Sequence, residues 1–424
     1  MTRGKGWLAI MAVFVLLSAT AACGDDGGKK ATGGKGGAGR DVKTDKGVDD
    51  KEIRVAVLND FSGPVATIGT PAAVGTEIYF DHVNAEGGVC GRKVKVVRGD
   101  TMYDNQVTIQ RYRAVKGDVV AITQLLGTSA TLALANDIAR DKIMTLAATG
   151  SAAVIPLKNV FIYITPFSIE AINAVAWAAK EQAGDDGKLQ LGVIYQADPY
   201  GEEGLAAVKF AAKELGNVDV VATAKYAQTD QDFSAQVQAM EDAGAEVVYL
   251  HDTPAQTGGI LGVAAQRRYK PLFIGNSGSF GSALVKPLGD LLKDFRVVTS
   301  SANWGEDVPE MKTFLAAAKK YAPKLAPDNF AVIGWSAGMV QRAALERACK
   351  DGDLTQSGVA AAMEGLKVDL NGMGPNLSYG GSPDERIPSR EDRVSKIDLK
   401  TTFPVPLTDY FASDPAKAYT LPKG

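Results

Sequence analysis

Histidine and cysteine are scarce in this chain, with two and three copies among 424 residues. His82 and His251 lie far apart, and Cys23, Cys90 and Cys349 show none of the short spacings that gather ligands around zinc. Metal chemistry is therefore not expected, and little material remains for acid–base catalysis. One run, Gly334-Trp335-Ser336-Ala337-Gly338, fits G-x-S-x-G, the pattern of a serine nucleophile on a strand-to-helix turn. That arrangement needs a histidine after the serine, and none follows Ser336. A serine hydrolase using Ser336 is kept only as an alternative. The run reads instead as a small-residue helix start packed under the body, so no catalytic residue, metal or cofactor is assigned. Neither charge is in excess, with 46 Lys and Arg against 49 Asp and Glu, which speaks against nucleic acid as a partner. The carboxylate pairs Asp49-Asp50, Asp185-Asp186 and Glu202-Glu203 read as solvated.

The apolar run Trp7 to Leu17 is about eleven residues, well short of the roughly 20 a membrane-spanning helix needs. Arg3 and Lys5 precede it, and the small residues Ser18 to Ala22 lead from it to Cys23. This is the anatomy of a signal peptide over residues 1–22. The Ala21-Ala22-Cys23 junction resembles the lipobox of bacterial lipoproteins, although Thr20 stands where that pattern usually has leucine. The resemblance implies lipidation of Cys23 and an extracytoplasmic protein anchored to the membrane by lipid. Residues 24–51 are rich in Gly, Lys and Asp without any apolar period, and read as a flexible tether of roughly 30 Å reach. Gly34, Gly36 and Gly39 match G-x-G-x-x-G, but no strand precedes them and no helix follows, so no nucleotide site is assigned.

From Glu52 onward, short runs rich in Val and Ile alternate with helical stretches. Nine strands are predicted, at 53–58, 94–97, 119–126, 143–147, 189–195, 218–226, 246–251, 272–275 and 296–300. Helices are predicted between them, most clearly over 202–215, where Leu205, Val208, Ala212 and Leu215 share one face. Such alternation gives an α/β fold of mainly parallel sheets flanked by helices, and nine strands suggest two sheets. In such sheets ligands bind beyond the carboxyl ends of the strands, beside helix N-termini that favour carboxylates. Five polar loops stand there, at 127–129, 147–151, 198–201, 252–254 and 276–278. Cys90 and Cys349 can pair as one disulfide outside the cytoplasm or stay as two buried thiols.

Several segments together resemble the leucine/isoleucine/valine-type binding proteins, which are type I periplasmic binding proteins of ABC importers. They are Glu52 to Val57, Ser62-Gly63-Pro64-Val65-Ala66, Gly69, and Asn84 to Val97. Gly127-Thr128-Ser129-Ala130, Ala147-Ala148-Thr149, Asp198 to Gly204 and Asp232-Phe233-Ser234 continue the likeness. The resemblance implies two lobes, 52–165 plus 300–366 and 166–299 plus 367–424, joined by three crossings near Thr165, Ser300 and Leu366. It also implies that Ser129, Ala147 through its main chain, and Thr149 hold a ligand carboxylate, while Tyr200 closes from the other side. Where that family places an acid for the ligand's α-ammonium, this chain has Ser277. Thr253 and Ile68 replace aromatic residues, and Asp252 is the nearest acid that can take over the charge. A solute-binding monomer that carries an amino-acid-like carboxylate or amide to an ABC permease is expected, rather than an enzyme. A ligand sensor of the same fold, signalling to a membrane partner, is the alternative.

Overall fold

The computed structural model describes residues 42–183 and 187–421. The signal segment, Cys23, the Gly34 to Gly39 motif and the Asp185-Asp186 pair lie outside them. Strand β1 (Lys43–Thr44) opens the described chain. Five parallel strands follow, β2 (Glu52–Asn59), β3 (Lys93–Asp100), β4 (Ala121–Leu126), β5 (Met144–Ala148) and β6 (Val160–Ile162), in the order β3-β2-β4-β5-β6. Strands β7 (Leu189–Gln196), β8 (Val218–Tyr226), β9 (Val247–His251), β10 (Leu272–Gly275) and β11 (Phe295–Thr299) form a second parallel set. After the short strands β12 (Asp353–Leu354), β13 (Lys367–Val368) and β14 (Leu377–Ser378), β15 (Arg393–Ile397) and β16 (Pro404–Pro406) join it antiparallel. The second sheet then reads β16-β15-β11-β10-β9-β7-β8. All nine predicted strands are present, and helices cover both faces. That is why Ile53, Val55, Ala56, Val57 and Leu58 of β2 are all buried.

The tether expected to reach residue 51 gives way to ordered chain earlier. Strand β1 pairs in parallel with β12, and Val48 is buried. Gly47 has φ +78° and runs so close to Val119 and Val120 that a Cβ would come within 2.3 Å of their backbones. Main-chain contact fixes this segment, so it needed no apolar periodicity.

A second correction concerns the last crossing. The chain stays with the first sheet beyond Leu366, because Val368, Leu370, Met373, Leu377 and Tyr379 pack into the core around Trp335 and Leu345. The Tyr379 hydroxyl donates to the Ile162 carbonyl at 3.0 Å. The crossing comes instead near Glu391, whose carbonyl accepts from Thr165 Oγ1 at 2.8 Å, while Thr165 N donates to Ser300 Oγ at 3.1 Å. Three crossings thus meet at one point. Tail prolines 404 and 406 sit in β16, at the sheet edge, where a missing N–H is tolerated.

The G-x-S-x-G run is neither an elbow nor a helix start. It lies within the helix Asn329–Lys350, and Ser336 Oγ donates back to the Val332 carbonyl. A Cβ on Gly334 would sit 1.9 Å from the Ala72 carbonyl oxygen, and one on Gly75 2.0 Å from that of Ala331. These glycines let the helices Ala66–Ala85 and Asn329–Lys350 touch backbone to backbone.

Cys90 and Cys349 are joined by a disulfide across 259 residues of sequence, tying a loop before β3 to the end of the Asn329–Lys350 helix. Closing so long a loop in the unfolded chain is worth about 5 kcal/mol in the chain-entropy model. Reduction, or the pair Cys90→Ala and Cys349→Ala, should lower the melting temperature by roughly 5–15 °C in scanning calorimetry.

Candidate functional site

The carboxyl ends of strands from both sheets face one cleft. From the first sheet, Leu126 ends β4 with Gly127 and Thr128 after it, and Ala148 ends β5 with Thr149 after it. From the second, Tyr200 follows β7, Thr253 follows β9, and Ser277 and Gly278 follow β10. The walls between are apolar, built from Val65, Ile68, Ala72, Phe167, Phe330 and Ile333, with Tyr103, Tyr163 and Ile164. Gly127 is required where it stands: its φ is +105°, and a Cβ would press on the Tyr103 ring at 3.1 Å. The helix Thr128–Asp141 starts there, so its first N–H groups lack intrahelical acceptors beside the cleft.

Thr128 Oγ1 and Thr149 Oγ1 lie 2.8 Å apart, and Thr149 Oγ1 also accepts from Ser151 N at 3.2 Å. The two hydroxyls hold two hydrogens, and their mutual bond uses one. Whichever donates, the other hydroxyl keeps a hydrogen to offer a ligand. Tyr200 presents its ring rather than its hydroxyl. Its OH donates to the Asp252 carbonyl at 2.7 Å, and the ring packs on Phe167 and His251 with centroids 5.1 and 4.2 Å away.

Of the seven residues expected to hold a ligand, Thr149, Tyr200, Thr253 and Ser277 line the cleft. Ala147 does not, because its main chain is engaged within β5 against Leu125 and Ile162; Ala148 takes its place. Ser129 lies one residue round the helix, in a rim cavity with Asp104, Asp198 and Gln228, and Thr128 faces the cleft instead. Asp252 turns away from the cleft. Its Oδ1 accepts from Thr257 Oγ1 at 2.9 Å, and burial pushes its carboxyl up to about 7. Helix-wall residues such as Phe330 and Ile333 were missed because their spacing equals that of an ordinary core face. Tyr103 could have been found, since it follows β3 as another strand-tip residue.

Glu203 was read as solvated. It turns inward and accepts from Ser151 Oγ, from Ala152 N at 2.8 Å and from Ser168 N at 3.2 Å. Ser151 and Ala152 lie between β5 and β6, whereas Glu203 belongs to the helix after β7, so this carboxyl ties one sheet's loops to the other's. Desolvation outweighs those hydrogen bonds and pushes it up to about 7. A second tie crosses at Ser282, after β10, whose Oγ lies 3.0 Å from Asp328 Oδ2 at the start of the Asn329–Lys350 helix. Burial raises the Asp328 carboxyl to about 6. Among the described residues, no group of His, Cys, Asp or Glu could hold a metal ion, and no helix is long and apolar enough to cross a membrane.

Comparison with known proteins agrees with this architecture. A family model described as periplasmic binding protein matches residues 52–390. The Leu/Ile/Val-binding protein homolog 7 of Brucella abortus (strain 2308) is 24% identical over 364 residues, covering 78% of this chain and 88% of that protein. Its Brucella suis counterpart is 28% identical over 252 residues, but the match spans 56% of this chain and 61% of that relative, under two thirds of its length. A structure described as a fatty acid ABC transporter substrate-binding protein from Thermomonospora curvata superposes with TM-score 0.83 at 28% identity. It covers 90% of this chain and 97% of the other. A branched chain amino acid ABC transporter protein from Thermus thermophilus with bound valine shares the fold with TM-score 0.77 at 21% identity, covering 88% and 99%. The matched span and the paired sheets agree: this chain belongs to the periplasmic binding proteins, of the Leu/Ile/Val-binding type with the type I fold, a family that binds small solutes outside the cytoplasm and does not consist of enzymes.

Proposed function

We propose that this chain is the extracytoplasmic substrate-binding lipoprotein of an ABC importer. It holds a small solute with a carboxylate or amide head in the cleft and presents it to a membrane permease. The observation that carries this reading is the cleft itself, walled by strand tips of both sheets, with Thr149 on one side and Tyr200 on the other. A solute touching both sides favours the closed form by its differential affinity, and the closed shape is what a permease can recognise. The relatives' names bracket the solute, with branched-chain amino acids on one side and fatty acids on the other. Both are acids with apolar bodies, which suits an apolar cleft with one free hydroxyl hydrogen and a helix N-terminus at one end.

Three measurements test this. Calorimetric titration with small carboxylates, amides and amino acids should find a tight ligand. Thr149→Val should then weaken it roughly 10- to 150-fold, the worth of one charge-assisted hydrogen bond of about 1.5–3 kcal/mol. Absence of binding across such a panel would remove the proposal.

Closure itself should depend on Glu203, which does not line the cleft. Its carboxyl takes up a proton more readily in the closed form, at about 7, than when solvated near its ordinary value. The closed form therefore binds more protons between those two values, and loses stability as pH rises through about 7. Affinity of the wild type should fall between pH 5 and 8 relative to Glu203→Gln, whose amide does not titrate. A constant ratio between the two proteins across that range would refute this role.

Lipid anchoring at Cys23 is the third. Metabolic labelling with palmitate should mark the wild-type chain in a bacterial host, and Cys23→Ser should abolish the label and release the protein from the membrane fraction.

A further inference from the structure

Building on the solute-binding role proposed above, the remaining choice is between an amino acid and an acid without an amine. Among the described residues that line the cleft, none carries a charge at neutral pH. A carboxylate needs only donors, and these exist: the Thr128–Thr149 hydroxyl pair and the start of the Thr128–Asp141 helix. An α-ammonium needs acceptors, best an ionised carboxylate, and the wall opposite offers only the neutral hydroxyls of Thr253 and Ser277.

Behind that wall lie two acids, each buried and bonded through one carboxyl oxygen to a neighbour, while Asp104 and Asp198 line the adjoining rim cavity rather than the cleft. Asp252 is buried behind Tyr200 and bonded to Thr257. Glu170 is buried behind Ser277, whose N–H donates to its Oε2 at 3.0 Å. Burial and the nearby Asp392 push the Glu170 carboxyl well above its ordinary value, so it is also a poor source of negative charge. Ser277 itself, half-buried on the cleft wall, presents a neutral hydroxyl.

The walls narrow the class further. Val65, Ile68, Phe330 and Ile333 match an apolar body behind the carboxylate.

We infer that the solute is an apolar monocarboxylate without an α-amino group, and that Ser277 is the residue that sets this preference. Leucine and 4-methylpentanoate are a matched pair, identical but for the amine. Burying an ammonium without its carboxylate partner is strongly unfavourable. The purified full chain should therefore bind 4-methylpentanoate at least about 100-fold more tightly than leucine in calorimetric titration. Hexanoate and octanoate should bind as well. Ser277→Asp should invert the order, gaining leucine and losing 4-methylpentanoate through repulsion of like charges. The wild-type comparison decides the matter even if that variant does not fold.

Leucine binding as tightly as its deaminated partner would overturn the inference while leaving the solute-binding role intact. Loss of that leucine binding in Glu170→Gln would identify Glu170 as the missing partner. Silence toward all these acids, with tight binding of some other small carboxylate or amide, would likewise overturn only the inference. Silence toward every compound would overturn both readings.

Discussion

Parallel strands each followed by a helix bring all their carboxyl ends, and all the free N–H groups of the helices that follow, to one edge of a sheet. Two such edges set face to face make a cleft in which neither side can satisfy a ligand alone. The remaining features of this protein follow from that constraint. Thr149 and Thr128 come from the tips of the first sheet, and Tyr200, Thr253 and Ser277 from those of the second. The polar groups are few and mostly bonded already, so a bound molecule contributes the missing acceptors and fills an apolar space. Excluding water from such a space strengthens each remaining hydrogen bond.

The lobes are stiff where they must be and lightly joined where they must move. In the first, the Ala66–Ala85 and Asn329–Lys350 helices touch backbone to backbone through Gly75 and Gly334, and Cys90–Cys349 ties that layer to the loop before β3. Between the sheets the ties across the cleft are of another kind. Glu203 to Ser151 and Ser282 to Asp328 are hydrogen bonds to carboxyls whose desolvation offsets much of what the bonds contribute. Contacts of that sort can be broken and remade at modest cost. The crossings behind them cannot, because buried Thr165 bonds to both Ser300 and the Glu391 carbonyl.

Much of the architecture was legible because burial on both faces of a parallel sheet writes itself as short Val- and Ile-rich runs. All nine predicted strands are there for that reason. What escaped prediction had no such signature. Strand β6 is three residues long, β1 is fixed by its backbone, and β15 and β16 lie in a tail interrupted by prolines. The segment after Leu366 belongs with the first sheet through scattered residues such as Leu370 and Tyr379, which show no period.

The sequence by itself determined the fold class, the family likeness and the loops at which a ligand would be sought, since strand tips and helix starts are local events. Through that likeness it also implied that Ser277 stands where the family places an acid. Only the tertiary structure decided which way each neighbouring side chain turns. One residue of rotation put Thr128 rather than Ser129, and Ala148 rather than Ala147, at the cleft. A hydrogen bond from nearby Thr257 holds Asp252 behind the wall, and bonds from the distant Ser151 and Ala152 draw Glu203 across to the other lobe. Direction and partnership depend on packing between elements far apart in the chain, and a linear pattern does not encode them.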